Sequence, residues 1–186
     1  MVDVHLPFES QKRLIEIARQ TLKSVAGHRS RQTISNDDPY LQQASYGAFV
    51  TLFKQNELRG CIGTCTPSDS LCNIVAEMTE AAATRDPRVK PVRADEVEHI
   101  HIDISILSQL VKCSQPLSLE IGRHGLHIVS GSKRAVLLPQ VAVEREWDML
   151  TFLEQICFKA ELPKDAWSWP DTVVSSFTAL IIEEEK

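Results

Sequence analysis

A hairpin with two glycines in its returning strand constrains this chain more than any other feature. Tyr46 to Phe53 reads as a strand, Lys54-Gln55-Asn56-Glu57 as a polar turn, and Leu58-Arg59-Gly60-Cys61-Ile62-Gly63-Thr64 as the strand that returns. Period-two alternation puts Leu58, Gly60, Ile62 and Thr64 on one face and Arg59, Cys61, Gly63 and Cys65 on the other. Leu58 and Ile62 are therefore expected to face a core, with Arg59 and Cys61 sharing the opposite face. Glycine weakens a strand unless something approaches the backbone closely or the strand bulges. Two glycines flanking a cysteine mark either a site or a tight packing seam.

The 186 residues suffice for one domain, with two lobes allowed, and for a sizeable core; 43% are hydrophobic and 24% charged. A net charge of −5 and an isoelectric point near 5.7 argue against a broad electrostatic grip on nucleic acid. A small nucleotide remains compatible with that balance. Met1 to Ser10 carries no apolar run of signal-peptide length, and no apolar run approaches the ~20 residues of a membrane span. The expectation is a soluble, cytoplasmic protein without a membrane partner. Five scattered cysteines, Cys61, Cys65, Cys72, Cys113 and Cys157, read as free thiols. Cys61 and Cys65 would stand ~13 Å apart on an extended strand, beyond disulfide reach. His99 and His101 add imidazoles, but no paired C-x2-C spacing exists, so no metal is expected, and the residues name no cofactor.

Around the hairpin, Glu9 to Ala26 has the apolar spacing of an amphipathic helix, with Ser10 as its cap and Gly27 as its stop. Residues 28–45 are polar and irregular, with a turn at Asp37-Asp38-Pro39. Thr66-Pro67-Ser68 precedes a helix over about 69–84, ended by Asp86-Pro87-Arg88 because proline disfavours helical geometry in the residue before it. Ile100 to Leu107 alternates, with isoleucines on one side and His101, Asp103 and Ser105 on the other. The polar side reads as a solvated face or as a stripe lining a cleft. Leu126–Val129 and Lys133–Leu138 form a second hairpin, stopped by Pro139. Asp148 caps a helix over about 149–161, Val173–Glu183 reads as one closing strand, and Glu183-Glu184-Glu185-Lys186 as a frayed, solvated tail. Hairpins mixed with helices predict an α+β fold with a mainly antiparallel sheet and flanking helices.

Several stretches together resemble the AMMECR family, named for the Alport syndrome, midface hypoplasia and elliptocytosis chromosomal region. They are Leu58 to Thr64, Asp86-Pro87-Arg88, Asp103 to Ser108, Gly122 to Leu126, Leu137 to Ala142, and Trp147-Asp148 through Ala166-Trp167, in order over almost the whole chain. Val89, Cys65 and Asp103 depart from the family pattern, which usually has phenylalanine, an aromatic and glutamate there. The resemblance implies an α+β domain with a large and a small lobe and a cleft between them. It also implies kinship with nucleotide- and nucleic-acid-binding folds, base-modification chemistry, and the company of Memo-like (extradiol dioxygenase-related) and radical S-adenosylmethionine proteins. Fold kinship does not fix function.

Two functional classes follow. In the first, a cysteine-dependent enzyme acts on a nucleotide, nucleobase or related small substrate. Cys61 is the nucleophile, Arg59, ~7 Å away along the strand, favours the thiolate, and Asp86, Asp103 or His124 serves as base or orienting group. Gly60 and Gly63 offer backbone amides, and Arg88, Ser105 and Gln140 complete the binding set. In the second, the chain is a non-catalytic module that binds a ligand or protein, including the Memo-like and radical S-adenosylmethionine partners, with Trp147, Trp167, Trp169 and Tyr46 as anchors. There Cys61 fills a packing seam, Arg59, Asp86 and Arg88 form structural ion pairs, and His124 closes a turn.

Overall fold

The returning strand of the hairpin pairs as its alternation requires, except at one residue. In a computed structural model describing residues 3–29 and 37–185, β1 (Gly47–Lys54) and β2 (Glu57–Thr64) run antiparallel around Gln55-Asn56. Both turn residues take positive φ, 53° and 64°, the twist that a tight hairpin needs. Thr51 faces Cys61 and Leu52 faces Gly60, but Phe53 faces Leu58, so Arg59 is an extra residue in the ladder. This bulge resets the alternation. Leu58 consequently does not face the core: it pairs with outward Phe53 and is 42% exposed. Arg59 and Cys61 no longer share a face by simple period two.

β3 (Ile100–Leu107) pairs with the other side of β1, and β8 (Ala179–Glu183) follows it, giving the order β2-β1-β3-β8. The inner face carries Ala48, Val50, Leu52, Ile100, Ile102, Ile104 and Ile106, all buried. It is covered by α1 (Phe8–Ala26) and α2 (Leu71–Thr84). The small residues of α2, Ala81, Ala82 and Ala83, let the helix lie close to β2. A Cβ on Gly60 would stand 2.1 Å from the Ala82 carbonyl oxygen. Gly60 is therefore the close approach that the sequence suggested.

The second sheet, in the order β4-β7-β5-β6, contains β4 (Val111–Lys112), β5 (Gly125–Ser130), β6 (Lys133–Leu137) and β7 (Thr172–Phe177). α4 (Met149–Lys159) packs against it, and α3 (Pro139–Glu144) precedes α4. Asp148 caps α4 by accepting the Thr151 N–H. Leu126, Ile128, Phe152, Ile156 and Cys157 form the core there, and Trp147 and Trp167 pack against it. Those two tryptophans are partly buried against this core, whereas Trp169 is 39% exposed. Pro139 ends the strand as expected and also opens α3, since proline suits the first helical turn.

By its contacts the chain divides into Met1–Val4 with Ser108–Ala179, and His5–Leu107 with Leu180–Lys186. The expected single strand Val173–Glu183 is accordingly two, broken at Thr178. Thr178 donates its N–H to Ser108 Oγ and accepts the Ser108 N–H, so its backbone leaves the ladder. Nor is the C-terminal acidic run a frayed tail: Glu183 ends β8, and Glu184 takes two hydrogen bonds from Arg19 of α1 and one from the Ile102 N–H. Asp38 caps the turn expected at 37–39, accepting the Tyr40 N–H; residues 30–36 of the irregular stretch lie outside the described residues, as do Met1, Val2 and Lys186.

Candidate functional site

β2 is an edge strand, so alternate N–H and C=O groups point away from β1 with no ladder partner. At Cys61 a short turn after α2 supplies the partner. Asp86 Oδ2 accepts the Cys61 N–H at 2.8 Å, and Arg88 Nη2 donates to the Cys61 carbonyl at 2.9 Å. Arg88 also grips Asp86, Nε to Oδ1 at 2.9 Å and Nη2 to Oδ2 at 2.6 Å. The two side chains thus imitate one rung of a neighbouring strand. The Asp86 carboxylate is fully buried, and the Arg88 side chain is 57% exposed. Hydrogen bonds from Arg88, and then from the Cys61 amide, hold the Asp86 carboxyl far below the usual carboxylate range, against the opposing pull of burial. Arg88 is raised in turn, mainly by Asp86 and to a lesser degree by the Cys61 side chain.

The bulge re-aims Arg59. Its guanidinium binds Glu96 through Nε at 3.2 Å and Nη2 at 2.9 Å, and the carbonyls of Lys90 and Pro91 at 2.5 and 3.0 Å. Glu96 also receives Lys54 Nζ at 2.9 Å and the Arg93 N–H at 3.1 Å, and its carboxyl is held low, by Arg59 first and Lys54 second. Sequence reasoning missed Glu96, because nothing local ties it to a strand whose bonding residue lies 37 positions earlier.

The outer face of this sheet carries the rest. Register places Cys61, Thr51 and Asp103 in one row, Gly63, Phe49 and Ser105 in the next, and Leu58, Phe53 and His101 in a third. Thr51 Oγ1 donates to Cys61 Sγ at 3.3 Å, and Cys61 is half-buried. Thr51 was legible as an outward residue between inward Val50 and Leu52. Gly63 lies beneath the Phe49 ring, where a Cβ would stand 2.2 Å from Cγ. Ser105 is buried. His101 Nε2 stands 3.1 Å from Asp103 Oδ1, yet that oxygen is buried and no donor meets it in hydrogen-bond geometry. Burial pushes the Asp103 carboxyl up; the adjacent His101 opposes that shift, and Glu183 adds to it. Asp103, His101, Glu183, Phe53, Gln55 and Asn56 line a pocket of about 330 Å³. Glu183, exposed as the acidic run suggested, is a contributor that the sequence did not place beside Asp103.

His124 and Gln140 belong to the other unit. His124 Nδ1 accepts the Glu120 backbone N–H at 3.0 Å and the His124 backbone N–H donates to the Glu120 carbonyl, so the residue closes a turn. Gln140 sits in the first turn of α3 with its Oε1 buried and without a hydrogen-bond partner. Among the described residues no three His, Cys, Asp or Glu side chains form a group that could hold a metal ion, and no helix is long and apolar enough to cross a membrane.

Two antiparallel four-stranded sheets with flanking helices, and an edge strand capped at a cysteine by an Asp–Arg pair, define the class: an α+β protein organised around that capped hairpin. The AMMECR1 family model matches residues 15–182, and the chain belongs to that family. It is 38% identical to protein TK0174 of Thermococcus kodakarensis, over 92% of this chain and 89% of that one. It is also 38% identical to protein MK0488 of Methanopyrus kandleri, over 97% and 91%. The crystal structure of the uncharacterized protein PH0010 from Pyrococcus horikoshii superposes with a TM-score of 0.90 at 34% identity, covering 97% of this chain and 94% of that one.

Proposed function

We propose that this chain is a ligand-binding module whose site is the pocket beside the Gln55-Asn56 turn, and that the Cys61 stretch is the scaffold holding that sheet in register. The observation that carries this reading is how the polar groups are distributed. Asp86, Arg88 and Arg59 are engaged by backbone groups, by one another or by Glu96, whereas Asp103 lines a pocket of about 330 Å³ with the His101 imidazole 3.1 Å from its Oδ1. A carboxylate held low by an arginine is a weak proton acceptor; one pushed up by burial exchanges its proton nearer neutral pH. The Memo-like and radical S-adenosylmethionine proteins of the family resemblance would then supply the bound molecule or receive it.

A second reading, a cysteine-dependent enzyme acting on a nucleotide, nucleobase or similar small substrate, is favoured by one contact. The half-buried Cys61 sulfur has the Thr51 hydroxyl at 3.3 Å. The two readings separate by nuclear magnetic resonance while nucleosides, amines and carboxylates are titrated into the full chain. The binding reading expects the His101 ring and the Gln55 and Asn56 amides to move first. Movement confined to Thr51, Cys61 and Gly63, with loss of thiol alkylation at Cys61, would overturn it in favour of the enzyme.

A further inference from the structure

We propose that the pocket beside the hairpin turn takes a small organic cation, a primary ammonium or a guanidinium, held by Asp103 and Glu183 with its apolar stem against Phe53. The inference rests on the ligand-binding reading and adds the chemical class. Of the six lining residues, Asp103 and Glu183 are acids, His101 is the one imidazole, and none is lysine or arginine. Glu184 adds to the negative field at Asp103 but is itself bound by Arg19. The lysine on the adjoining strand, Lys54, is drawn away to Glu96. Among the described lining residues, His101 is the one that can carry a positive charge beside the Asp103 carboxylate.

An anion entering here would meet two carboxylates, whereas a cation would pair with them, joining the His101 imidazole that stands 3.1 Å from Asp103 Oδ1. Phe53 supplies an aromatic surface, which attracts a desolvated cation and shields an alkyl stem. Gln55 and Asn56 bring side-chain amides that can accept further N–H groups, and their positive φ fixes the turn presenting them. About 330 Å³ lies within the range of small-ligand pockets. Among the described residues, His101, Asp103 and Glu183 form no group that could hold a metal ion.

The test titrates the full chain with n-butylguanidinium, its uncharged isostere n-butylurea, and the anion butyrate, following the His101 ring and the Gln55 and Asn56 amides by nuclear magnetic resonance. The guanidinium should saturate these shifts at a concentration at least about tenfold below the urea, and butyrate should leave them in place. Asp103→Asn should remove that preference, and Glu183→Gln should weaken it. If urea or butyrate moves the same resonances as readily as the guanidinium, the cation assignment is wrong while the pocket remains a binding site. If none of the three moves them, the binding reading falls with it.

Discussion

The Asp86 carboxylate stands 2.8 Å from the backbone nitrogen of Cys61 and accepts its N–H on the edge where another strand would pair. With Arg88 donating to the carbonyl of the same residue, the pair closes one rung of an exposed ladder. The Cys61 stretch is thereby tied to the end of α2, and the hairpin is fixed over the helix that supports it.

Asp86→Asn should lower unfolding free energy by about 1–3 kcal/mol, because a buried charged acceptor is lost while an amide faces the guanidinium. Arg88→Ala should cost less at its own position, since that side chain is largely hydrated, but it leaves the carboxylate without its cation. Urea denaturation of both variants checks the order. Equal stability of Asp86→Asn and the parent protein would contradict the rung.

Acid should act through the same groups. Asp86 and Glu96 hold their carboxyls well below the ordinary 3.8 and 4.5. The unfolded chain binds protons first, so stability from these groups is complete above those values and declines as pH falls below them. Melting temperature measured from pH 6 to 2 (about; the span covers the ordinary carboxylate range) should drop steeply at the acid end. The slope should be shallower in the Asp86→Asn, Glu96→Gln double variant.

Asp103 should show the opposite sign. Its folded pKa is raised, so the folded chain holds the proton more tightly, and ionising Asp103 costs stability as pH climbs from 3.8 through the raised value. Asp103→Asn should therefore melt higher than the parent at neutral pH, and the two should converge below the ordinary value. A variant less stable at neutral pH would mean that the carboxylate is satisfied there.

Gly60→Ala places a methyl 2.1 Å from the Ala82 carbonyl oxygen, which belongs to helix backbone and cannot swing aside. Forcing α2 off the sheet should cost about 1–3 kcal/mol or more. At Gly63 a Cβ would meet the Phe49 ring at 2.2 Å and the Ala48 carbonyl oxygen at 2.6 Å, so Phe49→Ala should relieve Gly63→Ala in part and Gly60→Ala not at all. A thermal-shift cycle over the variants reads this coupling.

Much of this was legible in the sequence, and the parts that were not share a cause. Alternation located the hairpin, the isoleucines of β3 and the polar row of His101, Asp103 and Ser105, because period two is a local property of a half-buried strand. It misplaced Leu58, since alternation assumes no inserted residue and Arg59 is one. It joined β7 and β8, because the break at Thr178 is made by Ser108, 70 positions earlier. It read Glu184 as solvated like the exposed Glu183, when the partner of Glu184 is Arg19, 165 positions away. Composition reveals an acidic run; only the fold reveals what faces it.

The central claim separates ligand binding at Asp103 from scaffolding at Cys61, and one comparison tests it most directly. Cys61→Ser and Asp103→Asn are titrated with n-butylguanidinium beside the parent protein, and the His101 ring resonance is followed in each. The account predicts that Cys61→Ser follows the parent curve and that Asp103→Asn loses the response. A Cys61→Ser protein that keeps its fold yet loses the response, beside an Asp103→Asn protein that retains it, would contradict the account and return the site to the cysteine.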